Sequence, residues 1–340
     1  LERALSLCAE FDLARWVAPA YTNIALLTAL CLAGGGRLLR DRKLAEAGRA
    51  KLGEVSRCVA GTESFDEYNS PTYSAVNLRA LATLLVFLPE GEYREMAERL
   101  WRLQWKETLA HLHLPTGQLA GPHGRAYGRD MLRHTHGCLK FHVHQEFPEL
   151  FPLGVEDGDL HPALITGDPP CPADLAESFR AARYPRTEVR AVDSCDFAVG
   201  LAECRKQPPF WKARGTAGDW DLLIQSKGNP RNPSFRGAVK KSTTWLGPRI
   251  CLGTMNAEAM GFQSAPLIAH WPQTGRSDRA NFFTTTVLAR SEGKDSYLPG
   301  GVLCLAQSRT RVLGILRFEA DAEDGAFPHA PEALLAFQVN

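Results

Sequence analysis

The sequence lacks several features that would narrow its function at once. It has no Cys-x-x-Cys pair: its nine cysteines, at positions 8, 31, 58, 138, 171, 195, 204, 251 and 304, are scattered and odd in number. That pattern argues against zinc ribbons and dithiol redox motifs. Read as small buried apolar residues, the cysteines fit a reducing compartment or a secreted protein that does not rely on disulfides. Charge of one sign is also missing. The formal net charge is +1, without the basic footprint of a nucleic-acid binder. The longest apolar run, Ile24 to Gly34, falls short of the roughly 20 residues a membrane span needs and reads as a core helix. No repeat of fixed period stands out, which argues against a solenoid. The chain starts at Leu1 rather than Met, so the native start, and any signal peptide with it, is expected to precede it.

What is there suits a globular protein large enough for two domains. The 340 residues are 44% apolar and 23% charged, ordinary proportions for a chain with a sizeable core. The pattern changes character once. Helical periodicity runs through roughly 3–16, 21–34, 39–60, 71–88, 91–112 and a short stretch near 127–135, with breaks at Pro19, Gly34-Gly35-Gly36, Gly61 and Pro89-Glu90-Gly91. Residues 141–185 carry Pro148, Pro152, Pro162, Pro169, Pro170 and Pro172 and read as a linker. Short strand-like runs follow at Thr187–Val192, Phe197–Leu201, Trp220–Gln225, Thr243–Leu252, Phe282–Ala289, Val302–Ala306 and Arg311–Phe318. The fold class expected is α+β multidomain: helical hairpins over 1–140, a linker over 141–185 and an antiparallel β-sandwich over 186–340.

Two stretches stand out. In Asn69-Ser70-Pro71-Thr72-Tyr73, Ser70 is a suitable N-cap and Pro71 falls where a missing N–H costs nothing. Asn69 then sits just outside a helix N-terminus, where backbone N–H groups favour an anion, with Tyr73 close by. About fifty residues later comes Gly121-Pro122-His123-Gly124-Arg125-Ala126-Tyr127. If that segment is helical, Tyr127 shares a face with His123. Taken singly, each stretch also reads as a surface turn and each tyrosine as a packed aromatic.

With helices before strands, these stretches and, more weakly, Thr243-Thr244-Trp245-Leu246 with Leu252-Gly253-Thr254, the chain resembles the polysaccharide lyases that pair an (α/α) toroid with a C-terminal antiparallel β-sandwich. About six helices are counted against up to twelve in a full toroid, so the resemblance implies an incomplete, open toroid or a fragment of one. It also implies β-elimination on a uronic acid-containing, acidic polysaccharide, in a secreted or periplasmic setting, with no nucleic-acid or membrane partner and no required cofactor. Asn69 with His123 or Arg125 would neutralise the substrate carboxylate. Tyr127, with Tyr73 in reserve, would act as base and acid, and Arg125 or Arg129 would supply the positive charge a tyrosine base needs. Glu67, Arg129, His134 and Trp245 are further expected substrate contacts.

Other groupings support other readings. His111/His113, His134/His136 and His142/His144 are His-x-His pairs, which in a strand place both rings on one face. His142 and His144, followed by Glu146, are candidate ligands for zinc or another divalent ion. Glu63, Asp66 and Glu67 would serve a toroid-type glycoside hydrolase that works with paired carboxylates. Trp101, Trp105, Trp211, Trp245 and Trp271 could stack on sugars in a non-catalytic carbohydrate-binding protein.

Overall fold

A computed structural model describes residues 2–14, 17, 19, 21–65, 67–126, 128–131, 139–151, 169–192, 240–259, 265–274, 276–291, 294–297, 301–318 and 332–339. Among these, helices come first: α1 (Glu2–Ala14), α2 (Thr22–Leu38), α3 (Arg42–Ala60), α4 (Tyr73–Phe87) and α5 (Glu92–His111). A short hairpin, β1 (Leu112–His113) with β2 (Gln118–Leu119), is followed by α6 (Leu139–Glu146) and α7 (Ala173–Arg180). The remainder is antiparallel sheet. One sheet orders β12 (Glu332–Val339), β8 (Arg276–Ser291), β7 (Leu267–Gln273), β5 (Cys251–Met255), β4 (Lys240–Leu246) and β3 (Arg186–Val192), with β9 (Lys294–Tyr297) also on β8. A second orders β11 (Arg311–Phe318), β10 (Gly301–Ser308) and β6 (Ala257–Ala259). The chain is therefore mixed α+β, helices before antiparallel sheet. No helix among the described residues is long and apolar enough to cross a membrane.

The helical core forms where the apolar stripes of α2 to α5 meet. Leu26, Leu52, Leu78, Leu81, Leu84, Leu100 and Trp105 are essentially inaccessible to solvent, in keeping with close-packed interiors. Trp101 and Trp105 pack edge to face with ring centres 5.9 Å apart, so these two tryptophans belong to the core rather than to a sugar-stacking surface. Asp41 starts α3 by accepting from the Lys43 and Leu44 N–H groups at 2.9 and 3.2 Å, a cap worth about 1 kcal/mol.

Several expected boundaries are corrected. The triplet Gly34-Gly35-Gly36 does not end a helix, because α2 continues to Leu38. Gly36 serves packing instead. A Cβ on Gly36 would lie 2.4 Å from the Ala45 nitrogen, and one on Gly48 2.3 Å from the Ala33 nitrogen, so α2 and α3 touch backbone to backbone. The expected linker carries α6 and α7, and Phe147, Phe151, Cys171 and Phe179 within it join the helical core. Thr243–Leu252 is two strands rather than one, joined at Gly247, whose N–H bonds the Ile250 carbonyl at 2.9 Å. The described residues 121–126 and 128–131 are not helical. The expected runs Phe197–Leu201 and Trp220–Gln225 lie outside the described residues.

The helical and sheet parts meet through glycine as well. A Cβ on Gly253 of β5 would lie 1.7 Å from the Gly121 carbonyl oxygen, and backbone cannot be displaced by a change of rotamer. Gly253→Ala is expected to destabilise the fold by at least about 1–3 kcal/mol. Gly61→Ala, where a Cβ meets nothing within 4 Å and φ is −72°, is expected to be neutral or stabilising by about 0.5 kcal/mol. Urea denaturation of the two variants checks both signs.

Candidate functional site

The two singled-out stretches meet, and Asn69 is the joint. Ser70 caps α4 as its sequence position suggests: its Oγ accepts from the Tyr73 N–H at 2.9 Å and its carbonyl from Ser74 at 3.1 Å. The residue before it must turn sharply, and Asn69 does so at φ 47°, a left-handed conformation that asparagine tolerates better than most residues. Three contacts hold it there. Its N–H donates to Glu107 Oε1 at 2.9 Å, and its Nδ2 donates to the carbonyls of Ala120 at 2.6 Å and Pro122 at 2.9 Å. Both amide protons are thus spent on backbone. Asn69 clamps the second stretch and does not face an anion at the helix mouth.

His123 closes the clamp. Its Nδ1–H donates to the Asn69 carbonyl at 2.6 Å, while its backbone exchanges hydrogen bonds of 3.0 and 2.9 Å with Ala265. Gly124 N–H bonds the Tyr68 carbonyl at 2.9 Å, and Thr244 Oγ on β4 donates to Gly121 O at 2.7 Å. Helical loop, motif loop and sheet are thereby stitched together by buried polar contacts.

Arg125 is buried between two aromatic rings, its guanidinium 4.2 Å from the Tyr73 ring centre and 4.8 Å from that of Tyr21. Its Nη1 is ion-paired with Glu67 Oε1, and Glu67 Oε2 accepts from the Asn23 N–H at 2.8 Å. Burial alone would weaken the charge, but Glu67 and the two tyrosines outweigh it and hold the guanidinium more firmly protonated than usual. Glu67 is thus the buried partner of Arg125, and removing either member of such a pair costs about 3–5 kcal/mol.

Residues that sequence reasoning missed complete the arrangement. Glu107 on α5 is fully buried, and besides Asn69 it accepts from Ser64 Oγ at 3.1 Å and Phe65 N at 3.4 Å. Burial pushes its carboxyl above the usual range, against the pull of those N–H and hydroxyl donors. His111, one turn on, donates from Nδ1 to the Glu107 carbonyl at 2.8 Å. Its Nε2 lies 2.7 Å from Tyr68 Oη, and Ser242 Oγ is 3.0 Å from the same oxygen. Burial raises the Tyr68 phenol well above its ordinary range. From β7, His270 donates Nε2–H to the Arg129 carbonyl at 2.8 Å and places Nδ1 3.8 Å from Cys251 Sγ. The available signals were the i, i+4 spacing of Glu107 and His111 and a histidine at an alternating, inward position of β7.

Four of the five buried histidines among the described residues, His111, His113, His123 and His270, therefore each have a tautomer set by a backbone carbonyl, because only the N–H form can donate. The other ring nitrogen of His111 meets Tyr68, that of His113 meets Thr116 Oγ at 2.8 Å and that of His270 meets the Cys251 thiol. His123 differs. Its Nε2 is buried and has no hydrogen-bond partner among the described residues.

The remaining candidates are placed elsewhere or not described. Trp245 is half-buried and folds over Gly247, where a Cβ would fall 2.1 Å from its ring. Strand alternation puts it on the face of β4 opposite Ser242 and Thr244. Arg129 contributes its carbonyl to His270. Tyr127, His134, His136, Asp66 and Trp211 lie outside the described residues. His142 and His144 are on helix α6, where an i, i+2 pair diverges instead of sharing a face. His144 Nδ1 bonds the Phe151 carbonyl at 2.8 Å. Among the described residues no group of three or more His, Cys, Asp and Glu side chains is placed to hold a metal ion, and the strand expected under His142 and His144 is corrected to a helix.

The buried histidines make stability depend on pH. Burial pulls His111 and His123 down to about 3 and His113 and His270 down to about 4, whereas unfolded histidines protonate near pH 6.5. Stability is full above the unfolded value and falls as pH drops toward 4, because only the unfolded state gains protons in that window. Glu107 opposes this as one group against four. Urea unfolding across a pH series is expected to give a slope of up to about 1.4 kcal/mol per pH unit per histidine. A flat profile between pH 6.5 and 4.5 would contradict it.

The comparisons with known proteins bear on this region. A family model described as a domain of unknown function (DUF8769) matches residues 12–144, a stretch that holds both motifs, Glu107 and His111. No curated protein and no solved structure matches the chain.

Proposed function

We propose that this chain cleaves a uronic acid-containing polysaccharide by β-elimination, with the helices forming part of an open (α/α) toroid and the antiparallel sheets a β-sandwich behind it. What supports the reading is one observation: the two stretches, about fifty residues apart in sequence, meet in two pairs, Asn69 with His123 and Tyr73 with Arg125. The reaction removes the proton on the carbon that bears the carboxylate, breaks the neighbouring carbon–oxygen bond, forms a carbon–carbon double bond and returns a proton to the leaving oxygen. That proton is weakly acidic, so the carboxylate has to be neutralised first.

The contacts support a division of roles. Arg125 is committed to Glu67 and holds the Tyr73 ring, and Asn69 has spent its amide protons as the clamp. His123 remains as the neutralising group. As a neutral Nδ1–H imidazole it keeps an acceptor at Nε2, which is buried and has to be uncovered before a carboxylate can reach it; binding there would take up one proton, shared between ring and carboxylate. Proton transfer to and from the sugar falls to Tyr127, with Tyr73 next to the Arg125 cation as the alternative base. A glycoside hydrolase reading fits less well. Glu67 has both oxygens engaged, and Glu63 is paired with Lys106 at 2.8 Å, which lowers its carboxyl and suits no general acid.

The test is a panel of uronic acid polymers followed by the ultraviolet absorbance of an unsaturated uronate. Absorbance is expected with at least one polymer, reduced by at least about 100-fold in Tyr127→Phe. Because binding takes up a proton, KM is expected to rise as the pH goes above neutrality. New reducing ends without absorbance would assign a hydrolase instead.

A further inference from the structure

A second candidate site lies at the opposite end of α2. A groove of about 660 Å³ is lined by Arg37, Arg40, Arg42 and Arg49, by Asp41 and Glu46, and by an apolar floor that includes Phe87 and Pro89. Asn23, which holds Glu67 at the motif site, and Arg37 are fourteen residues apart on the same helix. At 1.5 Å per residue, that separates the two places by about 20 Å.

The charges in the groove are not equally committed. Arg37 Nη1 donates to the Phe87 carbonyl at 2.5 Å, and Arg49 is paired with Glu46 at 3.1 Å and lies over Tyr93. Asp41 is spent on capping α3, which also occupies the N–H groups at that helix end. Arg40 and Arg42 are exposed, and neither side chain has a partner among the described residues. Arg40 also adopts φ 56°, a left-handed conformation that costs an ordinary residue about 1 kcal/mol and that glycine would adopt freely. Two unpaired guanidinium groups over an apolar floor, with both nearby carboxylates engaged, leave the groove with unbalanced positive charge.

We propose that this groove binds a carboxylate-bearing sugar chain, with Arg40 and Arg42 as the anion contacts and the apolar floor against the sugar rings. A guanidinium matches a carboxylate through paired N–H groups, and an apolar patch suits the C–H faces of pyranose rings. The positive charge of the groove stands on its own residues; the identity of the ligand as a uronate rests on the lyase reading above. A second station on one molecule would raise the local concentration of a polymer without new contacts at the motif site.

The test is fluorescence anisotropy with an end-labelled oligomer of glucuronic acid and its carboxyl-reduced, neutral counterpart, at low and at high salt. The acidic oligomer is expected to bind with an affinity that falls with salt, and the neutral one at least about tenfold more weakly. Arg40→Ser/Arg42→Ser is expected to lose roughly tenfold in affinity. Arg57→Ser/Arg99→Ser removes the same net charge from outside the groove and is expected to change affinity by less than about twofold. Equal losses in the two double variants would reduce the binding to bulk charge and overturn the proposal, as would equal binding of the neutral oligomer or no loss in Arg40→Ser/Arg42→Ser. The lyase reading fails separately, as absent ultraviolet absorbance while groove binding persists.

Discussion

The hydrogen bond from His123 Nδ1 to the Asn69 carbonyl, 2.6 Å long, is the contact around which the junction of helices and sheet is arranged. It joins the loop ahead of α4 to the loop beyond the β1–β2 hairpin, and that second loop also bonds Thr244 and Ala265 on the sheet side. Asn69 answers with two amide donors, and Glu107 pins the Asn69 N–H from behind. Each of these groups is buried, so losing a partner leaves a desolvated polar atom at a cost of about 1–3 kcal/mol. Apolar packing could bring helices and sheet together at many angles. The polar contacts are directional and select one.

The same constraint sets the chemistry. A histidine whose Nδ1 must donate to a carbonyl keeps its Nε2 as an acceptor, and burial keeps the ring uncharged. His111, His113 and His270 use their second nitrogen internally and serve the fold. His123 does not; its ring meets the Asn69 carbonyl and lies 6.5 Å from that of His270. An uncharged imidazole with an acceptor nitrogen takes up a proton when an anion arrives beside it, a response that a permanently charged arginine cannot give. The guanidinium instead packs on the Tyr73 ring and balances Glu67, so in the proposed reaction structural and reactive duties fall to different side chains.

Local signals in the sequence translated well. The Ser70 cap, the apolar stripes of α2 to α5 and the strand runs at β3, β8, β10 and β11 all lie where short-range patterns put them. Signals with two physical meanings misled. Gly34-Gly35-Gly36 reads as a helix break because glycine is a poor helix former, but α2 runs through it, and close packing of α2 on α3 requires the glycine at Gly36. His142 and His144 suggest one face only if the segment is a strand, and it is α6. The site itself was half legible. Asn69 meets His123 and Tyr73 meets Arg125, yet Asn69 and Arg125 turn out to be occupied by carbonyls and by Glu67. Those partners are brought in by tertiary folding; the local spacings that mark Glu107 and His270 as inward-facing do not say what they meet.

The measurement closest to the centre of this account is the protonation state of His123, read from imidazole nitrogen shifts in a two-bond proton–nitrogen correlation spectrum. The account predicts a neutral Nδ1–H ring at neutral pH that stays neutral down to about pH 4, given that burial lowers this group to about 3. An Nε2–H tautomer, or an imidazolium forming near pH 6, would contradict both the clamp on Asn69 and the acceptor nitrogen assigned to the site.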